Sequence, residues 1–161
     1  METAAPNKQL MAALGRIVSG MFVITARRAS GETGMLASWV QQCSFDPPLV
    51  SVVLKKGREI ASWLPEGAPF IVNILDDTQT DMLIHFGRGF SEKEDAFADV
   101  EVERIDGSPP IIKDALAFLD CRVTGRCTTG DHELIIGQVI SGRLLGEGHP
   151  MVHVRKSGSH Y

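Results

Sequence analysis

This chain has little cysteine, no long apolar run and no surplus of positive charge, and each of these absences removes a class of function. Its three cysteines, Cys43, Cys121 and Cys127, form no CxxC pair and cannot all be bridged within one chain, which points to reduced thiols in a cytoplasmic protein rather than a disulfide scaffold. No segment approaches the roughly 18 consecutive apolar residues of a membrane span, and the opening Met1-Glu2-Thr3-Ala4-Ala5-Pro6-Asn7-Lys8 lacks the basic flank and apolar core of a secretory signal. A net charge of −4 argues against a general nucleic-acid binder, which needs clustered excess Lys and Arg. No membrane and no nucleic acid are therefore expected as partners, although anionic small ligands stay possible wherever positive charge is local.

Several familiar chemistries are missing as well. Gly87-x-Gly89 is followed by Glu92 where the dinucleotide fingerprint needs glycine, and there is no phosphate-binding GxxxxGK loop. No GxSxG supports hydrolysis. His149-x-x-x-His153 has a helical metal spacing but surrounds Pro150 in a segment that reads as strand, so no metal site is expected.

What remains is an ordinary globular composition, 43% hydrophobic and 22% charged over 161 residues, enough for one domain burying roughly 70% of its unfolded surface. A short helix is expected over residues 8–15 and a strand over Val18 to Arg27. Ser30-Gly31-Glu32-Thr33-Gly34 supplies turn chemistry before a strand from Leu36 to Gln42. Pro47-Pro48 forces a turn because proline donates no ladder hydrogen bond, and the apolar Leu49 to Leu54 then re-enters the sheet. Helix-period residues Ile60, Trp63 and Leu64 predict a helix over 57–64. Phe70 to Leu75 reads as strand, and Thr78-x-x-Asp81 resembles a capping box opening a helix through Met82, Leu83 and Phe86. Residues 91–99 read as a loop or a short helix. Extended runs from Ala117 to Thr124 and Glu133 to Leu145 flank the turn Thr129-Gly130-Asp131, and a last strand lies near Met151 to Arg155. About seven strands at hairpin spacing, with about three short helices, favour an antiparallel barrel over a doubly wound sheet. The domain is expected over 10–161, behind an N-terminal tail over 1–9.

The most informative stretch runs from Gly34 to Arg58. Ser38, Gln41, Gln42 and Ser44 place hydrogen-bonding capacity in a strand that otherwise looks half-buried. Buried polar groups cost about 1 to 3 kcal/mol each unless paired, so either a polar heterocycle pairs them or alternate residues face water. Lys55-Lys56-Gly57-Arg58 sits between an apolar strand and a helix start, where backbone N–H groups and cations both attract an anion; the alternative is a solvated basic turn. Arg88, between Gly87 and Gly89, either approaches a phosphate or caps a helix. His132 follows a tight turn at a barrel mouth, with Asp131 either orienting it or accepting the turn's own hydrogen bonds.

Leu14 to Ala26, Gly34 to Arg58, Phe70-Ile71-Val72-Asn73-Ile74-Leu75, Gly130-Asp131-His132 and the ending Arg155-Lys156-Ser157-Gly158-Ser159-His160-Tyr161 together resemble the flavin reductase-like, FMN-binding split-barrel family. The Met-Leu-Ala-Ser-Trp-Val block, His-Phe-Gly-Arg and the terminal His-Tyr look most like the C-terminal flavin reductase module of photosynthetic flavodiiron proteins, here expected to stand alone. The resemblance implies a mainly β, antiparallel, Greek-key-like split barrel with a few peripheral helices, a homodimer, and FMN near the subunit interface, FAD being the other candidate flavin. It implies that Ala37, Ser38, Trp39 and Val40 contact the isoalloxazine, that Gln42 and Ser44 lie nearer the ribityl chain and phosphate, and that Lys55, Lys56, Arg58 and Arg88 serve the phosphate. His132 matches the turn beside the flavin's reactive face and is the catalytic residue the resemblance implies. Where many members carry Ser-Phe-Thr-Ser, this chain has Trp39-Val40-Gln41-Gln42. The implied activity is hydride transfer from NADH or NADPH to flavin, with a downstream electron-acceptor protein as a possible partner. The rival readings are an FMN-bound electron carrier or redox-responsive module that never uses nicotinamide directly, and a flavin-free structural barrel.

Overall fold

The computed structural model describes residues 7–161; the first six positions of the expected tail lie outside the described residues. A short helix α1 (Lys8–Leu14) is capped by the Asn7 side chain, which accepts from the Gln9 N–H. The expected first strand is interrupted at Met21 into β1 (Ser19–Gly20) and β2 (Phe22–Arg28), and β3 (Gly31–Ala37) returns beside β2. The turn is thus Ala29-Ser30 rather than the glycine-rich stretch after it. Glu32 and Thr33 are already paired in the ladder, and Arg104 holds the Glu32 carboxylate at 2.9 Å.

The strand expected over Leu36 to Gln42 is in fact two. β3 ends at Ala37, Ser38-Trp39 bends, and β4 (Val40–Ser44) pairs instead with β5 (Leu49–Lys55). After β5 comes a single 3-10 turn (Glu59–Trp63), where a longer helix was expected. Arg126 donates to the carbonyls of Ala61 and Leu64 at 2.9 and 3.0 Å and terminates it. β6 (Pro69–Ile74) leads to helix α2 (Thr80–Gly87), followed by the small ribbon β7 (Val102–Glu103) and β8 (Ile111–Ile112). The long hairpin of β9 (Ala117–Thr129) and β10 (His132–Leu144) comes next, and β11 (Val152–His153) pairs with β1. The start of α2 is not a capping box. Asp76 accepts from the Thr78 N–H and hydroxyl at 3.0 and 2.7 Å, and no side chain caps the helix itself.

Seven strands form one sheet in the order β3-β2-β6-β9-β10-β5-β4, every pairing antiparallel. Its two edge strands, β3 and β4, are separated in the chain by two residues only, so the sheet must curl until its edges meet. This is the split barrel. Alternate residues fill it: Ile24, Val52, Leu54, Phe70, Val72 and Ile135 point inward, with Trp63 and Leu64 packed among them. Gly137 is required there, because a Cβ would meet the Phe70 ring, Cε1 being 2.6 Å away. On the outer face, Phe86 of α2 packs over Gly34 and Val23 in a second cluster. Buried Asn73 ties the 100–116 segment to that face: it donates to Val23 O at 3.0 Å and accepts from the Ile112 N–H at 2.9 Å. Among the described residues no helix is long and apolar enough to cross a membrane.

Candidate functional site

The ends of β3, β5 and the β9–β10 hairpin converge at one edge of the barrel. Lys55, the last residue of β5, lies directly opposite His132, the first of β10, which in turn faces Thr129. Gly130 and Asp131 form the tight turn, Gly130 at a φ of 26°, and the Lys56 N–H donates to Asp131 O at 3.0 Å. The register of three strands thus fixes cations and imidazole side by side.

Three adjoining cavities open here. The first, about 310 Å³, is an apolar slot between Met35, Leu36 and Ala37 of β3, Val53 and Leu54 of β5, and Leu83 of α2, with Ser38, Lys55, Arg58 and Tyr161 on its rim. The second, about 450 Å³, shares Met35 and Arg58 with the slot and is lined further by Gly57, Arg88, Gly89 and Glu94. The third, about 560 Å³, shares Val53, Lys55, Arg58 and Tyr161 with the slot and adds Trp39, Asp131, His132 and Arg155. Arg58 lines all three.

A hydrogen-bonded cluster walls the third cavity. His132 Nδ1 lies 2.6 Å from Asp131 Oδ1, and His132 Nε2 lies 2.6 Å from the Tyr161 hydroxyl. The Trp39 ring sits 4.8 Å from that of His132 and 5.4 Å from that of Tyr161, with the Arg155 guanidinium 5.0 Å over it. The hydrogen bond from His132 holds the Asp131 carboxyl below the usual carboxylate range, whereas burial pushes the Tyr161 phenol above its own.

The expected residues separate into two groups. Ala37, Ser38, Lys55 and Arg58 all border the slot, and neither Lys55 nor Arg58 forms an ion pair among the described residues. Arg88 borders the second cavity but is engaged, 3.0 Å from Glu94 and stacked 4.1 Å from the Phe90 ring. Arg88 and the Ser91 N–H together pull the Glu94 carboxyl down to about 2, with the Ser91 bond the larger cause. Lys56 points away and donates to Gly130 O at 2.6 Å, clasping the hairpin turn. Trp39 belongs to the His132 wall and, with Val40, Ile17, Val18 and Val152, also lines a surface groove that adjoins the slot at Ser38 and Val53. Gln42 is exposed and donates to Ser44 O at 3.2 Å. Ser44 pairs with Leu49, six positions along β5 from Lys55, or about 20 Å at ~3.4 Å per residue. Gln42 and Ser44 therefore lie far from the cationic end. The bend at Ser38-Trp39 is the cause, since it sends β4 back along β5 and away from the slot.

Sequence reasoning passed over Leu83, Arg155 and Tyr161 as site residues. Leu83 reads as an ordinary helix-face residue, and Tyr161 reaches His132 across 29 positions of sequence; only its place in the closing His-Tyr block drew notice. The predicted anion site at a helix N-terminus shrinks to the side chains of Lys55 and Arg58, because a single 3-10 turn supplies too few aligned N–H groups.

A flavin fits this arrangement on the chemistry of its walls. The slot offers apolar faces to a flat ring and Ser38 as a polar partner, and Arg58 stands where the slot opens into the cavity bordered by Gly57 and Gly89, open enough for a phosphorylated chain.

The family model described as "Flavin reductase like domain" matches residues 14–159. Diflavin flavoprotein A 1 of Synechocystis sp. (strain ATCC 27184 / PCC 6803 / Kazusa) is 40% identical over 157 residues, which is 96% of this chain and 27% of that protein. The chain spans about a quarter of the length of the curated relatives it matches. Among solved structures, flavin reductase PheA2 in its native state superposes with a TM-score of 0.75 at 30% identity, covering 92% of this chain and 93% of the other. Streptomyces globisporus C-1027 NADH:FAD oxidoreductase SgcE6, in complex with NAD and FAD fragments, gives 0.77 at 25% identity, covering 91% and 86%. With the barrel, the slot and these likenesses in agreement, the chain belongs to the flavin reductase-like domain family.

Proposed function

We propose that this protein is an NAD(P)H-dependent flavin reductase that holds FMN, or FAD in its place, in the slot between β3 and β5. The observation that carries the reading is the apolar slot with Arg58, free of any ion pair among the described residues, at the rim it shares with both neighbouring cavities. Bound flavin would supply the chemistry, accepting a hydride from a transient nicotinamide and passing electrons onward. The chain's own part is placement and charge. Ala37 and Ser38 border the ring, Met35, Leu36 and Leu83 exclude water from it, and Lys55 and Arg58 offset the negative phosphate. The third cavity, with its aromatic wall and the cations Arg58 and Arg155, is where we place the nicotinamide nucleotide. The absence of a dinucleotide fingerprint is compatible with this, because the SgcE6 complex holds NAD and FAD fragments on a similar fold.

We assign the protein to the cytoplasm, working with a downstream electron acceptor and as a homodimer. Exposed Ile17, Val18 and Val152 border the surface groove that Trp39 and Val40 line, an apolar face suited to a second copy. Steady-state oxidation of NADH and of NADPH, each with added FMN, FAD or no flavin, tests the reading. Flavin-dependent consumption of at least one donor is expected; consumption of neither with any flavin contradicts it.

A further inference from the structure

We propose that Tyr161, rather than His132, is the group of this cluster that touches a ring bound in the slot, and that His132 and Asp131 act behind it as positioning residues. The ligand named here rests on the flavin-reductase reading; the hydrogen-bond chain itself does not. Tyr161 lines both the slot and the third cavity, whereas His132 lines the third alone. The imidazole thus meets the slot only through the phenol.

The proton positions follow from the partners. Asp131 is ionised and can only accept, so His132 Nδ1 carries the hydrogen of that 2.6 Å bond. In the neutral ring Nε2 is then an acceptor, and the Tyr161 O–H donates to it at 2.6 Å. With its hydrogen committed to Nε2, the phenol oxygen presents lone pairs to whatever N–H a slot ligand offers. No proton need leave the protein for this arrangement to orient a ring.

Residues 154–161 form no helix or strand, and such a segment is mobile unless it is tied down; this one is tied at several points. The Gly158 N–H donates to Met11 O at 2.7 Å, and a Cβ on Gly158 would collide with Leu14 Cβ. A Cβ on Gly15 would stand 2.9 Å from Arg155 O and Ser157 N. Two glycines therefore let the tail lie against α1. Buried Arg155 donates to Leu14 O at 3.3 Å while its guanidinium covers Trp39, and Ser157 Oγ accepts from the Ser159 N–H at 3.2 Å. The course of the tail is built into the sequence, and it delivers the phenol to His132.

The test uses the whole chain, with Tyr161→Phe, His132→Ala, the double variant, and Gly158→Ala, whose added Cβ meets Leu14 and unseats the tail while leaving Tyr161 and His132 themselves unchanged. In flavin-free protein at mildly alkaline pH, long-range proton–nitrogen NMR should find His132 as the Nδ1–H tautomer. Its Nε2 resonance should move downfield in Tyr161→Phe, and Gly158→Ala should reproduce that movement. Tyr161→Phe should weaken FMN and riboflavin equally, by about fivefold, the loss of one neutral hydrogen bond. His132→Ala added to Tyr161→Phe should cost nothing more. An unmoved Nε2 resonance, unchanged flavin affinity in Tyr161→Phe, or additive losses in the double variant each overturn the assignment. Wild-type protein that takes up no flavin overturns the functional reading and the ligand contact with it, while the NMR result still decides the hydrogen-bond chain.

Discussion

At the scale of single residues, charge and burial divide the work. Arg58 is the cation at the junction of all three cavities, so its loss should be felt by a phosphate and not by a ring. Arg58→Ala is expected to weaken FMN by tenfold or more, in line with one charge-assisted hydrogen bond, and to leave riboflavin nearly unaffected. Titration of both flavins by fluorescence quenching checks this; equal losses would remove Arg58 from the phosphate. Cys121 stands at the other extreme. Burial inside the barrel pushes its thiol from 9.0 up to about 12. Between those values the unfolded thiol ionises while the folded one stays protonated, so the folded state binds more protons and stability falls as pH rises through the window. Denaturant unfolding across alkaline pH should show a shallower fall for Cys121→Ala than for the wild type. Thiol labelling should find the exposed Cys43 and Cys127 but not Cys121.

Among the elements, what the sequence made legible was whatever depends on local pattern. Apolar and β-branched runs marked β2, β5, β6, β9 and β10 because alternation along a strand needs only near neighbours. The break between β3 and β4 was not legible. Met35 to Gln42 carries no proline or turn dipeptide, and the bend at Ser38-Trp39 exists because a seven-stranded sheet has to close. Nor could a capping box be told from the Asp76 turn, since both use the same Thr78. The ribbon of β7 and β8, two residues a strand, owes its place to Asn73 on the distant β6. Asn73→Ala should therefore destabilise the fold by about 2 kcal/mol or more, leaving Val23 O and the Ile112 N–H buried without that partner. Chemical denaturation measures the loss; a change within about 0.5 kcal/mol would show that the 100–116 segment is held by its apolar contacts alone.

For the whole molecule, the barrel explains which half of the anticipated site came together. Residues at the Lys55 end of β5 converge, and those at the Leu49 end do not, so the long polar stretch divides at its bend into a wall of the slot and an outer strand. That outer strand, with Ile17, Val18 and Val152 nearby, is the face assigned to a second copy. Light scattering on the purified chain should give twice the monomer mass, 17.5 kDa, and Val152→Glu with Ile17→Glu should shift it toward the monomer. The central claim is narrower than any of these: the slot holds a flavin that a nicotinamide can reduce. Protein loaded with FMN and freed of excess, mixed without oxygen with NADH and in parallel with NADPH, should lose its visible flavin absorbance with at least one donor and regain it on admitting air. Retention of the full flavin spectrum with both donors, from protein that bleaches normally with a chemical reductant, would contradict the account.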